Sequence, residues 1–262
     1  MKIKDKVLEL HNQGFSINQI EEKTGFTKKQ IGAVYSKQKG LLCNRYDLLN
    51  IKNDLIQLIV SSLLGDGSFT KPHKEASKLS IAHSVKQKEL IEFKLSILKK
   101  YNLDGQLCYN KIYNNRYKKG YVEEYRFKSK SHPIFKIIRD LFYINNKKIV
   151  SKNFIRLLDY QGLALFYMDD GNVTNHSFQL NVQSFDEKSK NIIRAKLRQF
   201  GIKTTIHKQG QIYILSESRD LFINIIKPYI LPSMKYKLYP YRVLYKPGEF
   251  RGRPEVENPE PS

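Results

Sequence analysis

Two apolar runs organise the chain, because each stops abruptly at an acid followed by glycine. The first is Ile59-Val-Ser-Ser-Leu-Leu-Gly-Asp-Gly67 and the second is Leu163-Ala-Leu-Phe-Tyr-Met-Asp-Asp-Gly171. Aligning their terminal Asp-Gly pairs sets Asp66 against Asp170, 104 positions on. Each run predicts a short buried helix. Leu55, Leu58, Ile59 and Ser62 share one face at helical spacing, Asn53 and Asp159 are placed to cap the two helices, and Gly67 and Gly171 are the stop signals.

The elements after each run follow one order. Lys78–His83 alternates, with Leu79 and Ile81 on one face, and predicts a half-buried strand. A helix over Lys86–Tyr101 turns Leu90, Phe93, Ile97, Leu98 and Tyr101 inward. Gln106–Tyr113 and Tyr121–Ser129 predict a hairpin around Asn114-Asn115, and a helix from Pro133 carries Ile134, Ile137, Ile138, Leu141 and Phe142. In the second half Phe178, Leu180 and Val182 alternate with Gln179, Asn181 and Gln183 as a strand. Ser184-Phe-Asp-Glu187 reads as a capping box opening a helix to Phe200. Ile202–Lys208 and Gln211–Leu215 form the matching hairpin, and a last helix over Arg219–Lys227 ends at Pro228. Helix, strand, helix, hairpin, helix therefore occurs twice with a period of about a hundred residues, which predicts a duplicated, pseudo-two-fold α+β domain with antiparallel sheets.

The position of the acids adds chemistry to this pattern. The last turn of a helix is its negative end, so an aspartate there is disfavoured by about 0.3–1 kcal/mol. Two such placements in matching runs imply a cation that offsets the repulsion. If the helices lie side by side, their C-terminal ends bring two carboxylates and neighbouring carbonyl oxygens together as a hard-cation site. Ser61, Ser62, Gly65 and Ala164 are small enough to let the helices approach. The alternative is a pair of ordinary core helices with acidic ends.

Charge changes the picture of the partner. The 262 residues carry 46 Lys plus Arg against 25 Asp plus Glu, a formal net charge of +21. A solvated basic face accounts for a few excess charges, whereas this many on one or one and a half domains point to a polyanion. Cys43 and Cys108 form neither a disulfide framework nor a spaced metal motif, so an intracellular, reducing compartment is expected: bacterial or phage-infected cytoplasm, or an organelle matrix. No apolar run has membrane-spanning length and no signal-peptide core appears, so no membrane partner is expected.

Residues 1–40 read as a separate all-α unit. Val7, Leu8 and Leu10 predict a first helix, broken at Gly14-Phe15; Ser16 caps a second; Thr24-Gly25-Phe26 turns; and Thr27 caps a third. Ile20, Phe26, Ile31 and Val34 face inward with helix-turn-helix spacing, and Lys28, Lys29 and Gln30 point outward. Glu21 departs from the small residue that this turn favours, and a helical hairpin for protein contact is the alternative. Residues 41–52 read as a basic linker, 53–150 and 151–246 as the two halves, and 247–262, polar and proline-rich, as a disordered tail.

The two runs resemble diverged copies of the LAGLIDADG motif of homing endonucleases, in the form where one polypeptide carries both. Asn145-Asn-Lys-Lys148, Leu180-Asn-Val-Gln-Ser-Phe185 and Ile226-Lys-Pro-Tyr-Ile-Leu-Pro-Ser-Met-Lys-Tyr-Lys-Leu238 resemble the subgroup typified by the mitochondrial omega-intron endonuclease. Ser61 and Ser62 depart from the Gly and Leu usual in the motif. The resemblance implies that Asp66 and Asp170 hold divalent metal, with the carbonyls of Gly65 and Asp169 as further ligands, and that Lys148 and Lys237 orient water and stabilise charge. Magnesium, or another divalent ion such as manganese, suits a carboxylate-and-water site. It also implies a monomer that makes a staggered double-strand cut in a long, specific DNA target. Readout side chains for such a target are Arg116, Lys118, Arg126 and Lys128 on the first hairpin, the amide row Gln179, Asn181 and Gln183, and Lys203, Lys208, Gln211 and Tyr213 on the second hairpin. Two rival functions use the same scaffold: an RNA-splicing maturase that binds intron RNA, and a DNA-binding regulator that does not cut.

Overall fold

The structure, a computed structural model, describes residues 3–12, 17–32, 34, 52–73, 75–114, 119–174 and 177–238. The expected Gly14-Phe15 break, the Ser16 cap, the linker apart from Lys52, and the tail lie outside these residues.

The two apolar runs are helices, Asn53–Leu64 and Tyr160–Asp170, lying side by side and pointing the same way. Their N-terminal ends are tied by polar contacts. Asn53 Nδ2 donates to Asp159 Oδ2 at 2.8 Å, Gln57 Nε2 donates to the Leu157 carbonyl at 2.8 Å, and the Asp159 amide donates to Gln57 Oε1 at 2.9 Å. Asp159 caps the second helix as expected, its side chain accepting from the Gly162 amide. Asn53 does not cap the first: it is the first helical residue, follows Lys52, and spends its side chain on Asp159 and Gln57. Close approach explains the glycines between the helices. A Cβ on Gly162 would sit 2.2 Å from Gln57 Oε1, and one on Gly65 would sit 2.6 Å from the Asp169 Cβ. Every residue from Leu55 to Leu64 is buried, so the first helix is a core element on all sides.

Each helix feeds a four-stranded antiparallel sheet. In the first half the strands are β1 (Gly67–Phe69), β2 (Leu79–Ser84), β3 (Gly105–Tyr113) and β4 (Tyr121–Ser129), in the order β1-β2-β4-β3. A two-stranded ribbon, β5 (Tyr143–Ile144) and β6 (Lys147–Lys148), follows the helix Pro133–Phe142. The second half has β7 (Gly171–Val173), β8 (Phe178–Leu180), β9 (Thr204–Ile206) and β10 (Ile212–Ile214), in the matching order β7-β8-β10-β9. Helices Lys88–Lys100 and Glu187–Gln199, thirteen residues each, occupy the same place in the two halves. Registers match too: Gly67 lies opposite Ile81 and Gly171 opposite Leu180. One apolar core runs through both halves and both motif helices.

Several expectations needed correction. β1 and β7 begin directly after the acids and are three residues long, too short for an alternation signal. β8 ends at Leu180, not Val182, because the Val182 carbonyl accepts the Phe185 amide at 3.1 Å and turns the chain. The helix after it is capped by Asp186, whose side chain accepts from the Ser189 amide, rather than by Ser184. The hairpins themselves fall where alternation placed them, although β9 and β10 have three residues each and β3 and β4 nine.

The N-terminal residues form helices Ile3–Asn12 and Ile17–Thr24, with helical backbone again at 28–32 and 34. Val7, Leu10, Ile20 and Ile31 make a small separate core against which Phe26 and Val34 pack. Gly25 turns the chain with φ +70°. Thr27 and Gln30 form a reciprocal capping box, and Glu21 accepts the Lys28 amide at 3.2 Å.

Candidate active site

Because the two motif helices run parallel, both C-terminal ends arrive at one place with three carboxylates: Asp66, Asp169 and Asp170. Their mutual charge is felt. Burial pushes the Asp170 carboxyl up to about 7, the negative charges of Asp66 and Asp169 push the same way, and Lys148 and Lys237 oppose them. Oxygen donors with unbalanced negative charge are the chemistry that a hard divalent cation requires, so these residues fit one.

The two lysines occupy matching positions. Lys148 Nζ donates to the carbonyls of Gly67 at 2.6 Å, Leu63 at 3.1 Å and Gly65 at 3.4 Å. Lys237 Nζ donates to the carbonyls of Met168 at 2.6 Å and Tyr167 at 3.4 Å, and Tyr167 Oη returns a bond to the Lys237 carbonyl at 2.7 Å. Each ammonium therefore sits on the negative end of one motif helix, where the dipole favours a cation. Burial lowers the pKa of both, while the three aspartates hold it up. Asn145-Asn146 places the first of them. Both residues have positive φ, 50° and 62°, and make the tight turn that folds β6 back on β5, pairing Lys148 with Tyr143. Asn146 Oδ1 is held by Arg139 at 2.7 Å. Lys237 rides on the 3-10 helix Pro232–Leu238, anchored by buried Met234 and Leu238.

Sequence reasoning missed two side chains here. It found no histidine constellation, yet His83 lies between the acids: Nδ1 is 3.3 Å from Asp66 Oδ2 and Nε2 is 3.6 Å from Asp169 Oδ1. Lys94, fully buried, donates to Asp169 Oδ1 at 2.6 Å, to Oδ2 at 2.7 Å, and stands 3.1 Å from His83 Nε2. Asp66, His83 and Asp169 thus bring three potential ligand atoms within 4.8 Å of one another, with the Lys94 ammonium already on the Asp169 member. The pattern gave their position on core faces but did not mark them as site residues. His83 continues the buried face of Leu79 and Ile81, and Lys94 lies on the face of Leu90 and Leu98.

The readout candidates distribute as follows. Strand pairing puts Ser68, Ser80, Lys128 and Gln106 in one row across the first sheet, and Ala82, Arg126 and Cys108 in the next, on the face away from the buried Phe127 and Ile81. Arg126 and Lys128 are exposed there, Arg126 with its guanidinium on Glu124 at 2.8 Å. Arg116 and Lys118 lie outside the described residues. In the second sheet Asn172, Gln179, Tyr213 and Thr205 make the corresponding row. The expected amide row is not one strand face: Gln179 is on β8, Asn181 follows its end and accepts from Gln179 at 3.3 Å, and Gln183 is in the turn beyond. Tyr213 packs against His207 in a tilted arrangement with ring centroids 5.2 Å apart, Gln211 precedes β10, and Lys208 is in the hairpin turn. Lys203 pairs with Glu217 at 3.2 Å. Lys28, Lys29 and Gln30 are exposed at the start of the third N-terminal helical segment, with Gln30 engaged in the capping box. No described helix is long and apolar enough to cross a membrane.

Known proteins share this architecture. The chain is 27% identical over 212 residues to a cytochrome b mRNA maturase, bI2, of Debaryomyces hansenii, covering 75% of this chain and 79% of that protein. It is 35% identical over 123 residues to the intron-encoded endonuclease ai4 of Dictyostelium discoideum, covering 44% of this chain and 77% of that one. Among solved structures, the homing endonuclease I-WcaI bound to its DNA recognition sequence shares the fold with a TM-score of 0.63 at 24% identity, over 72% of this chain and 87% of that one. Residues 56–222, from the first motif helix to the last helix of the second half, match the LAGLIDADG DNA endonuclease family, and the chain belongs to it.

Proposed function

We propose that this chain hydrolyses one phosphodiester bond on each strand of a specific DNA target, as a monomer, with Asp66 and Asp170 as the metal-holding acids. The observation that carries the reading is the delivery of both acids, by parallel helices, to one place between two sheets of matching order. A pseudo-two-fold protein suits duplex DNA, whose strands are themselves related by a two-fold. The carbonyls of Gly65 and Asp169 would complete the ligand set for magnesium or manganese. A bound ion of this kind supplies Lewis acidity and a nucleophilic water.

The protein's own residues do the rest. Lys148 and Lys237, fixed on the helix-end carbonyls, present positive charge beside the acids, where water is oriented and developing charge is stabilised. Arg126, Lys128, Gln179 and Tyr213 on the outer sheet faces, with Arg116, Lys118, Asn181, Gln183, Lys203, Lys208 and Gln211 around them, hold phosphates and read base edges. Residues 1–40 act as a helix-turn-helix that extends the contact through Lys28, Lys29 and Gln30. The halves 53–150 and 151–246 are the working units. Cys43 and Cys108 suit a reducing intracellular compartment. RNA-splicing maturase activity is a second reading, favoured by similarity over 75% of the chain to a protein named as an mRNA maturase.

The test is cleavage of a DNA fragment that joins the sequences flanking this gene's element, with and without magnesium. Magnesium-dependent double-strand cutting, lost in Asp66→Asn and in Asp170→Asn or reduced to nicking, is the expected result. Tight binding with no cut under any divalent ion would sink the endonuclease reading and direct the next assay to intron RNA.

A further inference from the structure

The pseudo-two-fold relates Asp66 to Asp170, but their surroundings are not related. Ile81 and Leu180 lie opposite Gly67 and Gly171, and counting two positions on from each sets His83, still on β2, against Val182, just past the end of β8. Lys94 is the seventh residue of its thirteen-residue helix and Ile193 the seventh of the other. Asp169 precedes one motif acid and Gly65 the other. Three polar residues in contact with one another thus face three positions occupied by Val, Ile and Gly. Val182 and Ile193 are as fully buried as the residues they match.

The contacts of Lys94 define the state of His83. An ammonium has three hydrogens and no lone pair, and three acceptors surround this one: both Asp169 oxygens and His83 Nε2. With Lys94 as the ammonium, Nε2 is the accepting nitrogen and the ring proton is assigned to Nδ1. That Nδ1 is buried, makes no hydrogen bond of its own, and has Asp66 Oδ2 3.3 Å away. A buried ring nitrogen that lies beside a carboxylate without hydrogen-bonding to it is the group that calls for explanation. Nothing comparable can come to Asp170 from Val182.

Taking the endonuclease reading as its basis, we propose that Lys94 and His83 are positioning residues for Asp66 alone, so that the two cleavage centres are unequal. Lys94 fixes the tautomer and rotamer of His83 and holds the Asp169 side chain away from the metal position. His83 orients Asp66 from the Oδ2 side, where its Nδ1 lies 3.3 Å away, so that Oδ1 would be free to meet a bound ion. The centre arranged in this way cuts its strand first. Partners that orient ligands from behind contribute about 10–100-fold in metal affinity or rate.

The experiment measures the initial cutting rate of each strand, separately end-labelled, for the wild type, His83→Val and His83→Asn. In parallel, manganese binding to the DNA-free protein is followed by electron paramagnetic resonance. The wild type is expected to cut one strand faster. His83→Val, which copies the other half, should slow that strand by about 10–100-fold, leave the slower strand near its rate, and weaken manganese binding by a similar factor. His83→Asn, whose amide can donate from the Nδ1 position, should recover much of both. If His83→Val gives no cooperative melt, His83→Leu, which also offers no donor from the Nδ1 position, takes its place with the same expectation. Equal strand rates in the wild type, proportional slowing of both strands, or unaltered manganese binding in the variant would each overturn the proposal. Complete absence of cutting by the wild type would instead defeat the endonuclease reading, and the manganese titration would still decide the role of His83.

Discussion

Carboxylates at the end of a helix oppose its dipole, and this protein gathers three at one point, with three buried or half-buried lysines around them. Lys94 neutralises Asp169 directly, whereas Lys148 and Lys237 hold carbonyls and act on Asp170 from a distance. Asp170 is thus left short of charge compensation in the folded protein. Its pKa rises from 3.8 to about 7, so the folded state binds this proton more tightly than the unfolded chain. By linkage, the contribution to stability is complete below about pH 4 and is lost as pH rises through about 7. Metal-free wild type should therefore melt progressively lower than Asp170→Asn as pH is raised from about 5 to 8, and magnesium should close the gap; differential scanning calorimetry of both proteins checks this, and a pH-independent difference would contradict it. Asp66 and Asp170 were legible in the sequence because an acid ending an apolar run is conspicuous. Lys94 and His83 were not. They occupy core-facing positions of a helix and a strand, but a face is recognised by its apolar members, and in a chain with 46 Lys plus Arg one more lysine draws no notice.

Among the elements, the motif helices do two tasks: they form the seam between the halves and they aim the acids. The seam is apolar along its length but ends in a polar latch at Asn53, Gln57 and Asp159, which fixes the helices against sliding. Gln57→Leu would remove the acceptor of the Asp159 amide and the donor to the Leu157 carbonyl inside the protein. A loss of about 1–3 kcal/mol of unfolding free energy is expected by chemical denaturation, since buried groups left without partners bear their full desolvation penalty. Element identity was well predicted wherever six or more residues kept one period, as in β2, β4 and the long helices. It failed where three-residue strands are defined by pairing across the sheet, as in β1 and β7, and where a local turn such as Phe185 onto Val182 overrode an alternation that continued in sequence.

For the whole molecule, a charge of +21 sets affinity through phosphate contacts and hence through salt. Lys28 and Lys29 are exposed on the N-terminal unit, which has its own small core. If that unit lies on DNA, Lys28→Ala with Lys29→Ala should reduce the salt slope of log K by about 1.8, at about 0.9 per phosphate, while the metal-dependent cut persists at low salt. An unchanged slope in fluorescence-anisotropy titrations would assign the unit to another partner.

The inequality of the two hairpins reaches further than the site. Strands β3 and β4, at about 3.3 Å per residue, extend about 30 Å, close to a full turn of the double helix, while β9 and β10 cover about a third of that. Laid along DNA, such a protein has a long arm and a short one. It has a direction, as a reader of text does, and a palindrome would serve it poorly. The target that suits it is lopsided, with many informative bases on one flank of the cut and few on the other, and the order of the flanks decides which strand meets which acid.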